Sequence, residues 1–388
     1  MTAPSILQLM GARHVIKLRS ITMNPLQIPF LQAFTHASAK RATTEAILVR
    51  AESVRGLVGV GEGCPRRYVT GESVASAEDF FSRYHAEWMR LSSLEELRGW
   101  VASHAHEIDR HPAAWCAVEL ACLDVFGQET EQPIEVLLGG QCLAGPFQYT
   151  AVLGAEHPAV FGQQLREYLS AGFVDFKLKV TGDFQADRQR VEALNGSAGH
   201  ALRVRLDANN CWQDPTEASE YLHRLGGSFA AVEEPLRAGD YEGCRLLYTQ
   251  CNLPIILDES FCRLEQFRLI HDSPSQWIVN VRVSKMGGLM RALAVAGQAR
   301  ASGIPVIVGA QVGETSILTR AGLAVAERYR DIVRAQEGAF GTHLLAYDLC
   351  EPPLMFGYAG RLAVDSYATR PGLGLTVRMP QIDQISRK

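Results

Sequence analysis

Three acids stand at the ends of three short apolar runs. RVRLDANN (residues 203–210) closes its run with Asp207, AAVEEP with Glu233 and PIILDES with Asp258. The spacings are 26 residues (207 to 233) and 25 residues (233 to 258). One strand, one helix and two loops take roughly 25 residues. The period therefore predicts three successive parallel strands, each ending in an acid. In a closed (β/α) barrel such ends converge on one mouth, where catalytic groups collect. Three hard oxygen donors suit Mg²⁺, whereas zinc would call for His or Cys. A single acid after a strand is ordinarily a helix N-cap; three in register favour a metal centre. Asn209, two residues beyond Asp207, shares its face of the strand.

A lysine pair precedes this set. FVDFKLKV (173–180) places Lys177 and Lys179 on one face of a strand. Both faces of a barrel strand are normally covered, and unpaired lysines are very rarely buried. Two ammonium groups held close together disfavour each other's charge and lower a lysine pKa. A lysine so tuned can act as general base, and a nearby cation can stabilise the anion left by a carbon acid.

The elements that must position these groups follow from pattern. A strand is predicted from His14 through HVIKLRSITMNP, and two more around residues 45–63, in EAILVRAES and GLVGVGEG. PLQIPFLQAFTHASAKR and CPRRYVTGES read as loops. Helical patterns run from about Ser76 to Leu91 and from Ser93 to Ile108. A third, AAWCAVELACLDVFGQ, is apolar around most of its circumference and reads as buried. Strands followed by helices make an α+β domain. From Gly145 strands and helices alternate. Eight strands are predicted: FQYTAVL, FVDFKLKV, LRVRLDAN, FAAVEEP, PIILDES, QWIVNVRVSK (276–285), IPVIVGAQ from Ile304 and HLLAYDLC from His343. The expected organisation is an α+β domain over residues 1–140, a barrel over 141–352 and a tail, 353–388, that returns to the first domain.

Composition bounds the partners. The chain has 388 residues, 47% hydrophobic and 21% charged, with a net charge of −4. No basic footprint for nucleic acid or an anionic membrane is present. The nine cysteines are scattered without a C-x-x-C pair, which suggests reduced thiols in the cytosol. The N-terminal apolar run is too weak for a signal peptide. No apolar segment approaches the roughly 20 residues of a membrane helix. The expectation is a cytoplasmic homo-oligomer.

Taken together, the motifs resemble the enolase superfamily, in its muconate-lactonising, mandelate racemase-like branch. The resemblance covers nearly the whole chain. It rests on K-x-K on strand two, D-x-N on three, V-E-x-P on four and D-E-S on five. E-T-S-I after strand seven and AVELACLDVFGQETEQPIEVLLGG add to it. It implies an α+β capping domain over a modified (β/α)₇β barrel of TIM type, the cap completed by the C-terminal tail. It implies an enzyme with a small carboxylate substrate. It implies Mg²⁺ on Asp207, Glu233 and Asp258 with the substrate carboxylate on the metal, Lys179 as base and Lys177 assisting. Glu234 stands where relatives often carry Gln. Glu314 matches a family acid near the substrate, and the loops around His36 and Tyr68 would cover the site.

Two departures stand out. On strand six the family carries a lysine where NVRVSKMGG has Arg282, with Lys285 matching a later lysine. In a regular strand residues 282 and 285 face opposite ways, so Arg282 should face the mouth. An arginine cannot serve as a base. On strand eight, dipeptide epimerases carry D-x-D to hold an ammonium group. The sequence aligns Asp348 and Cys350 there, which argues against a dipeptide. The leading expectation is a muconate cycloisomerase-like isomerase or lyase. A hydroxy-acid dehydratase comes second, an amino-acid or dipeptide epimerase third. A binding module on a retained barrel is the non-enzymatic alternative.

Overall fold

The computed structural model describes residues 15–378 except 37–38, 155–156 and 198–201, and leaves undescribed the side chains of residues 32–41. Five strands open the chain: β1 (Leu18–Leu26), β2 (Pro29–His36), β3 (Ala39–Thr43), β4 (Ala46–Ser53) and β5 (Val58–Gly63). β1, β4 and β5 form an antiparallel sheet in that order, and β2 pairs with β3 as a separate hairpin. The hairpin occupies the segment expected to be a loop. Its two prolines and lack of period conceal it in the sequence.

Helices Val74–Trp88, Leu94–Ser103, Ala105–Arg110 and Pro112–Glu129 follow. Ser73 and Ser76 form a capping box at the first, and Ser93 accepts from the Glu96 N–H at the second. Helix Pro112–Glu129 is buried from Pro112 to Gly127. It lies against β5, which turns Gly59, Gly61 and Gly63 toward it. A Cβ on Gly61 would stand 1.9 Å from the Ala117 carbonyl oxygen. Helix and strand backbones are thus in direct contact, which only glycine permits.

After β6 (Phe147–Gln148) come the eight barrel strands: β7 (Ala151–Leu153), β8 (Asp175–Lys179), β9 (Arg203–Asp207), β10 (Ala231–Glu233), β11 (Ile255–Leu257), β12 (Trp277–Val281), β13 (Val306–Val308) and β14 (Val333–Gln336). Each pairs in parallel with the next, from β7 to β14. The ring closes where the Thr150 N–H donates to the Gln336 carbonyl at 2.8 Å. A separate apolar cluster of Ala231, Ile256, Ile278, Ile307 and Ala335 fills part of the interior. This is the TIM-type barrel with an N-terminal capping domain that the motifs implied.

Two strand assignments are corrected. The eighth strand is Val333–Gln336, not His343–Cys350, where the chain makes a 3₁₀ turn and isolated bridges instead. The sixth strand ends at Val281, and Val283–Met286 forms one helical turn ahead of Gly287 and Gly288, both at positive φ. Beyond the barrel, β15 (Arg361–Leu362) pairs with β6. The tail then bridges Pro133 through Gly372, and the Leu373 N–H donates to Asp124 Oδ1 at 2.8 Å.

Candidate active site

The helices after β8, β9 and β10 are capped by Asp183, Asp214 and Asp240, whose side chains accept the first backbone N–H groups. Asp207 and Glu233 are therefore not needed as caps. Register aligns Lys179 with Asp207 and Asp207 with Glu233 across three adjacent strands. Asp258 follows one residue past β11. All three acids are buried.

Lys177 lies between two of these acids and Glu337. Its Nζ stands 2.7 Å from Glu233 Oε2, 3.1 Å from Glu337 Oε2 and 3.3 Å from Asp207 Oδ2. Burial works against its charge, but the three carboxylates outweigh burial and hold its pKa well above the usual lysine value. Lys179 behaves differently. Burial lowers its pKa and the Lys177 charge lowers it further, against the pull of Asp207. Of the pair, only Lys179 shifts toward a basic role. Glu233 shifts up, through burial first, with Asp207, Glu337 and Asp258 adding to it and Lys177 opposing.

On the other side, Asp258 Oδ2 accepts from Arg282 Nη2 and Oδ1 accepts from Lys285 Nζ at 2.8 Å. Burial alone would raise its pKa, but the two cations bring it below the usual carboxylate value. The helical turn after β12 brings Lys285 back to the same carboxylate as Arg282, so the expected opposition of residues 282 and 285 does not hold. Arg282 Nη1 also donates to Gln311 Oε1 at 3.1 Å. Glu314 sits on the same turn and accepts the Gln311 N–H at 2.6 Å. Burial pushes Glu314 up to about 7, against that hydrogen bond and the charges of Arg282 and Arg66.

The remaining candidates divide. The Asn209 amide donates to Asp207 Oδ1 at 2.5 Å, from a backbone at φ 47°. Glu234 accepts the N–H groups of Asp258 and Ser260 and the Ser260 hydroxyl, and so shapes the turn that carries Asp258. Tyr68 is exposed in a single helical turn, Arg67–Thr70, within a segment expected to be a loop. His36 ends β2, and its side chain lies outside the described residues. Asp348 turns away from the role expected of it. Its two oxygens accept the backbone N–H groups of Ser316 and Cys350, at 3.0 and 2.9 Å, at the start of helix Ser316–Arg328. Cys350 is buried and bridges Val377.

The misplaced eighth strand hid the acid that does stand there. Glu337 follows Gln336 at the end of β14 and is paired with Lys177 and, at 3.4 Å, with Arg205. Arg205 in turn donates to the Thr150 hydroxyl at 2.8 Å and lies 3.2 Å from Asp175. Alternation puts Ala335 on the face of Glu337, so strand eight presents one acid there. A period-two reading of VRAQEG would have found Glu337. Glu259, beside Asp258, was also missed; burial and the Asp258 and Glu234 charges push it up to about 8.

The donor set fits a hard divalent cation. Lys177 contacts Asp207 and Glu233 together, while Arg282 Nη2 touches Asp258 and lies 3.6 Å from Glu233. Lys177 thus links Asp207 to Glu233 and Arg282 links Glu233 to Asp258, and the three acids include no sulfur or imidazole. Among the described residues, no three acidic, His or Cys side chains are drawn close enough to hold one ion in this arrangement. The cations Lys177 and Arg282 stand between them.

Residues 160–382, more than half of the chain, match the family described as Enolase C-terminal domain-like, and the chain belongs to that family. With its barrel and cap it is an isomerase of the enolase superfamily. It is 29% identical to a hydrophobic dipeptide epimerase of Enterococcus faecalis, over 84% of this chain and 92% of that one. A structure of an Enterococcus faecalis dipeptide epimerase, complexed with Mg and the dipeptide L-Leu-L-Tyr, superposes with a TM-score of 0.80 at 26% identity. It covers 93% of this chain and 99% of that chain. An N-succinyl-L-Arg/Lys racemase of Bacillus cereus is 27% identical over 80% of this chain and 84% of its own. A chloromuconate cycloisomerase of Cupriavidus pinatubonensis is 25% identical over 92% and 95%. No helix among the described residues is long and apolar enough to cross a membrane.

Proposed function

We propose that this isomerase epimerises or racemises a small amino-acid derivative with a free carboxylate, by moving its α-proton. The relatives support this over cycloisomerisation, the leading expectation from sequence: an epimerase and a racemase match at 29% and 27%, the cycloisomerase at 25%. The observation that carries the reading is Lys179. It stands in register with Asp207 and Glu233, and burial and Lys177 lower its pKa, as a proton acceptor requires. Asp207, Glu233 and Asp258 would hold Mg²⁺, whose charge would stabilise the anion formed when the α-proton leaves. Lys177, fixed by three carboxylates, keeps its charge and orders the acids around it.

Strand eight narrows the substrate. Its one acid, Glu337, is already paired with Lys177 and Arg205. No pair of carboxylates is left there for an ammonium group. An N-acylated amino acid, which carries no such charge, fits better than a dipeptide. On the face opposite Lys179, Arg282 keeps its proton. Glu314, linked to Arg282 through Gln311, is a carboxyl on that side raised by burial to about 7.

A second reading is one-face isomerisation, cyclising or eliminating, and Arg282 favours it because it cannot alternate between acid and base. Both enantiomers of N-acyl amino acids and of dipeptides, incubated with the enzyme and Mg²⁺ in deuterated water, separate the two by NMR. Deuteration with inversion of both enantiomers is the result expected. Deuteration of one enantiomer without inversion selects the one-face reading. Turnover of muconates alone returns the chain to cycloisomerisation.

A further inference from the structure

Asp258 carries two cations, and they use it differently. Lys285 directs its three N–H donors to Asp258 Oδ1 at 2.8 Å, the Asp258 carbonyl at 2.7 Å and the Asn280 carbonyl at 2.8 Å. Its side chain is wholly buried, so it is a fixed strut. The other oxygen, Oδ2, faces Arg282 Nη2, which also lies 3.6 Å from Glu233 Oε1. Arg282 has a second anchor, since Nη1 donates to Gln311 Oε1 at 3.1 Å. Its Nε is buried and has no partner among the described residues.

We propose that Arg282 is the internal competitor of the divalent cation: its guanidinium occupies Asp258 Oδ2 and must release it before all three acids can serve a metal. This rests on the metal reading given above. With Oδ1 held by Lys285, Oδ2 is the oxygen through which Asp258 can bind a cation. A guanidinium and a divalent ion compete for its lone pairs. Release leaves Arg282 tethered to Gln311 and frees its Nε–Nη2 edge, a planar pair of donors that matches a carboxylate. An acid substrate that used this edge would bind only after a metal had drawn Asp258 Oδ2 away from Arg282. A lysine at this position would offer a point charge without that fork.

The test is a calorimetric titration of the full-length enzyme with MgCl₂ alone, in the wild type, Arg282→Ala and Arg282→Gln, with folding checked by circular dichroism. The expected result is that both variants bind Mg²⁺ tighter than the wild type by about ten-fold or more, since a buried competing ion pair is gone. Crystals of the wild type with and without Mg²⁺ should show the Arg282–Asp258 contact only in its absence. Equal affinities, or a Mg²⁺-loaded crystal in which Arg282 still donates to Asp258 Oδ2, overturn the inference. No Mg²⁺ binding by any of the three folded proteins would remove the metal reading itself, and this inference with it.

Discussion

Glu234 accepts the backbone N–H of Asp258 at 2.6 Å, so the acid beside one proposed ligand holds another in place. The same carboxylate takes the N–H and hydroxyl of Ser260. Its backbone sits at φ 39°, a conformation that non-glycine residues adopt rarely. Glu234→Gln keeps an acceptor for both N–H groups and should leave Mg²⁺ affinity within about three-fold, whereas Glu234→Ala should weaken it by roughly 10–100-fold, as loss of an outer hydrogen-bond partner does. Calorimetry on the two variants checks this. Equal affinities would mean that the turn holds its shape unaided.

Lys179 must be neutral to accept a proton. Its lowered pKa puts the rising limb of the activity profile below that of an ordinary lysine, so activity should climb with pH and level off before the usual lysine range. Lys179→Ala should abolish α-proton exchange into solvent, measured by NMR in deuterated water, with Mg²⁺ affinity retained. Surviving exchange would transfer the role to another group.

Arg205 threads the barrel interior between Asp175, Thr150 and Glu337. Removing one member of a buried charge network leaves its partners short of a counter-ion. Arg205→Met should cost roughly 3 kcal/mol of stability, read by urea unfolding. Arg203 also pairs with Asp175, and a change below about 1 kcal/mol would show that Arg203 and Lys177 satisfy both acids alone.

Glu72 gives a pH signature in stability. Its carboxylate accepts the N–H groups of Ala113 and Ala114 at the start of helix Pro112–Glu129, and burial pushes it up to about 8 against those bonds. The folded value lies above the unfolded one, so its contribution is fully present below about 4.5 and is lost as pH rises through about 8. Between pH 5 and pH 8, on the order of the window those values define, Glu72→Gln should lose less melting temperature than the wild type. Parallel curves would refute the assignment.

Gly61 faces the Ala117 carbonyl so closely that no side chain fits. Backbone stands on both sides, so neither can yield cheaply. Gly61→Ala should destabilise the capping sheet by several kcal/mol, on the scale of severe overpacking. Gly56→Ala tests a different cost, since nothing lies within 4 Å of its added Cβ but its φ is 83°.

The chemistry was legible because it sits at strand ends. K-x-K, D-x-N, V-E-x-P and D-E-S each pair an apolar run with a polar end, and a period near 25 links them. The groups that were missed are polar residues inside or just beyond short strands. VRAQ is only four residues long and carries Arg334 and Gln336, while HLLAYDLC has the apolar and aromatic content of a strand. In the sequence HLLAYDLC therefore outweighs VRAQ as strand eight, and Glu337 is hidden with it. VRVSK alternates as a strand would, yet it turns helical, because Gly287 and Gly288 let the chain fold back and return Lys285 to Asp258. Alternation cannot reveal that reversal. The buried ion pairs of Arg205 leave no sequence signal, since each partner lies on a different strand.

The barrel is a hoop of eight staves, and its joints are unequal. β8 and β9 are matched over five residues, whereas the chain just before β7 meets β14 among the described residues through one backbone bond, Thr150 to Gln336, beside a side-chain bond from Gln336 to the Gln148 carbonyl. A hoop under thermal agitation parts first at its thinnest joint. Glu337 is the residue immediately past that joint, and its carboxylate holds Lys177. Opening of that seam would loosen one of the three acids on the central lysine and leave the other two in place. The pairing that backs the site is graded: five residues between β8 and β9, three between β9 and β10, and least where the barrel closes.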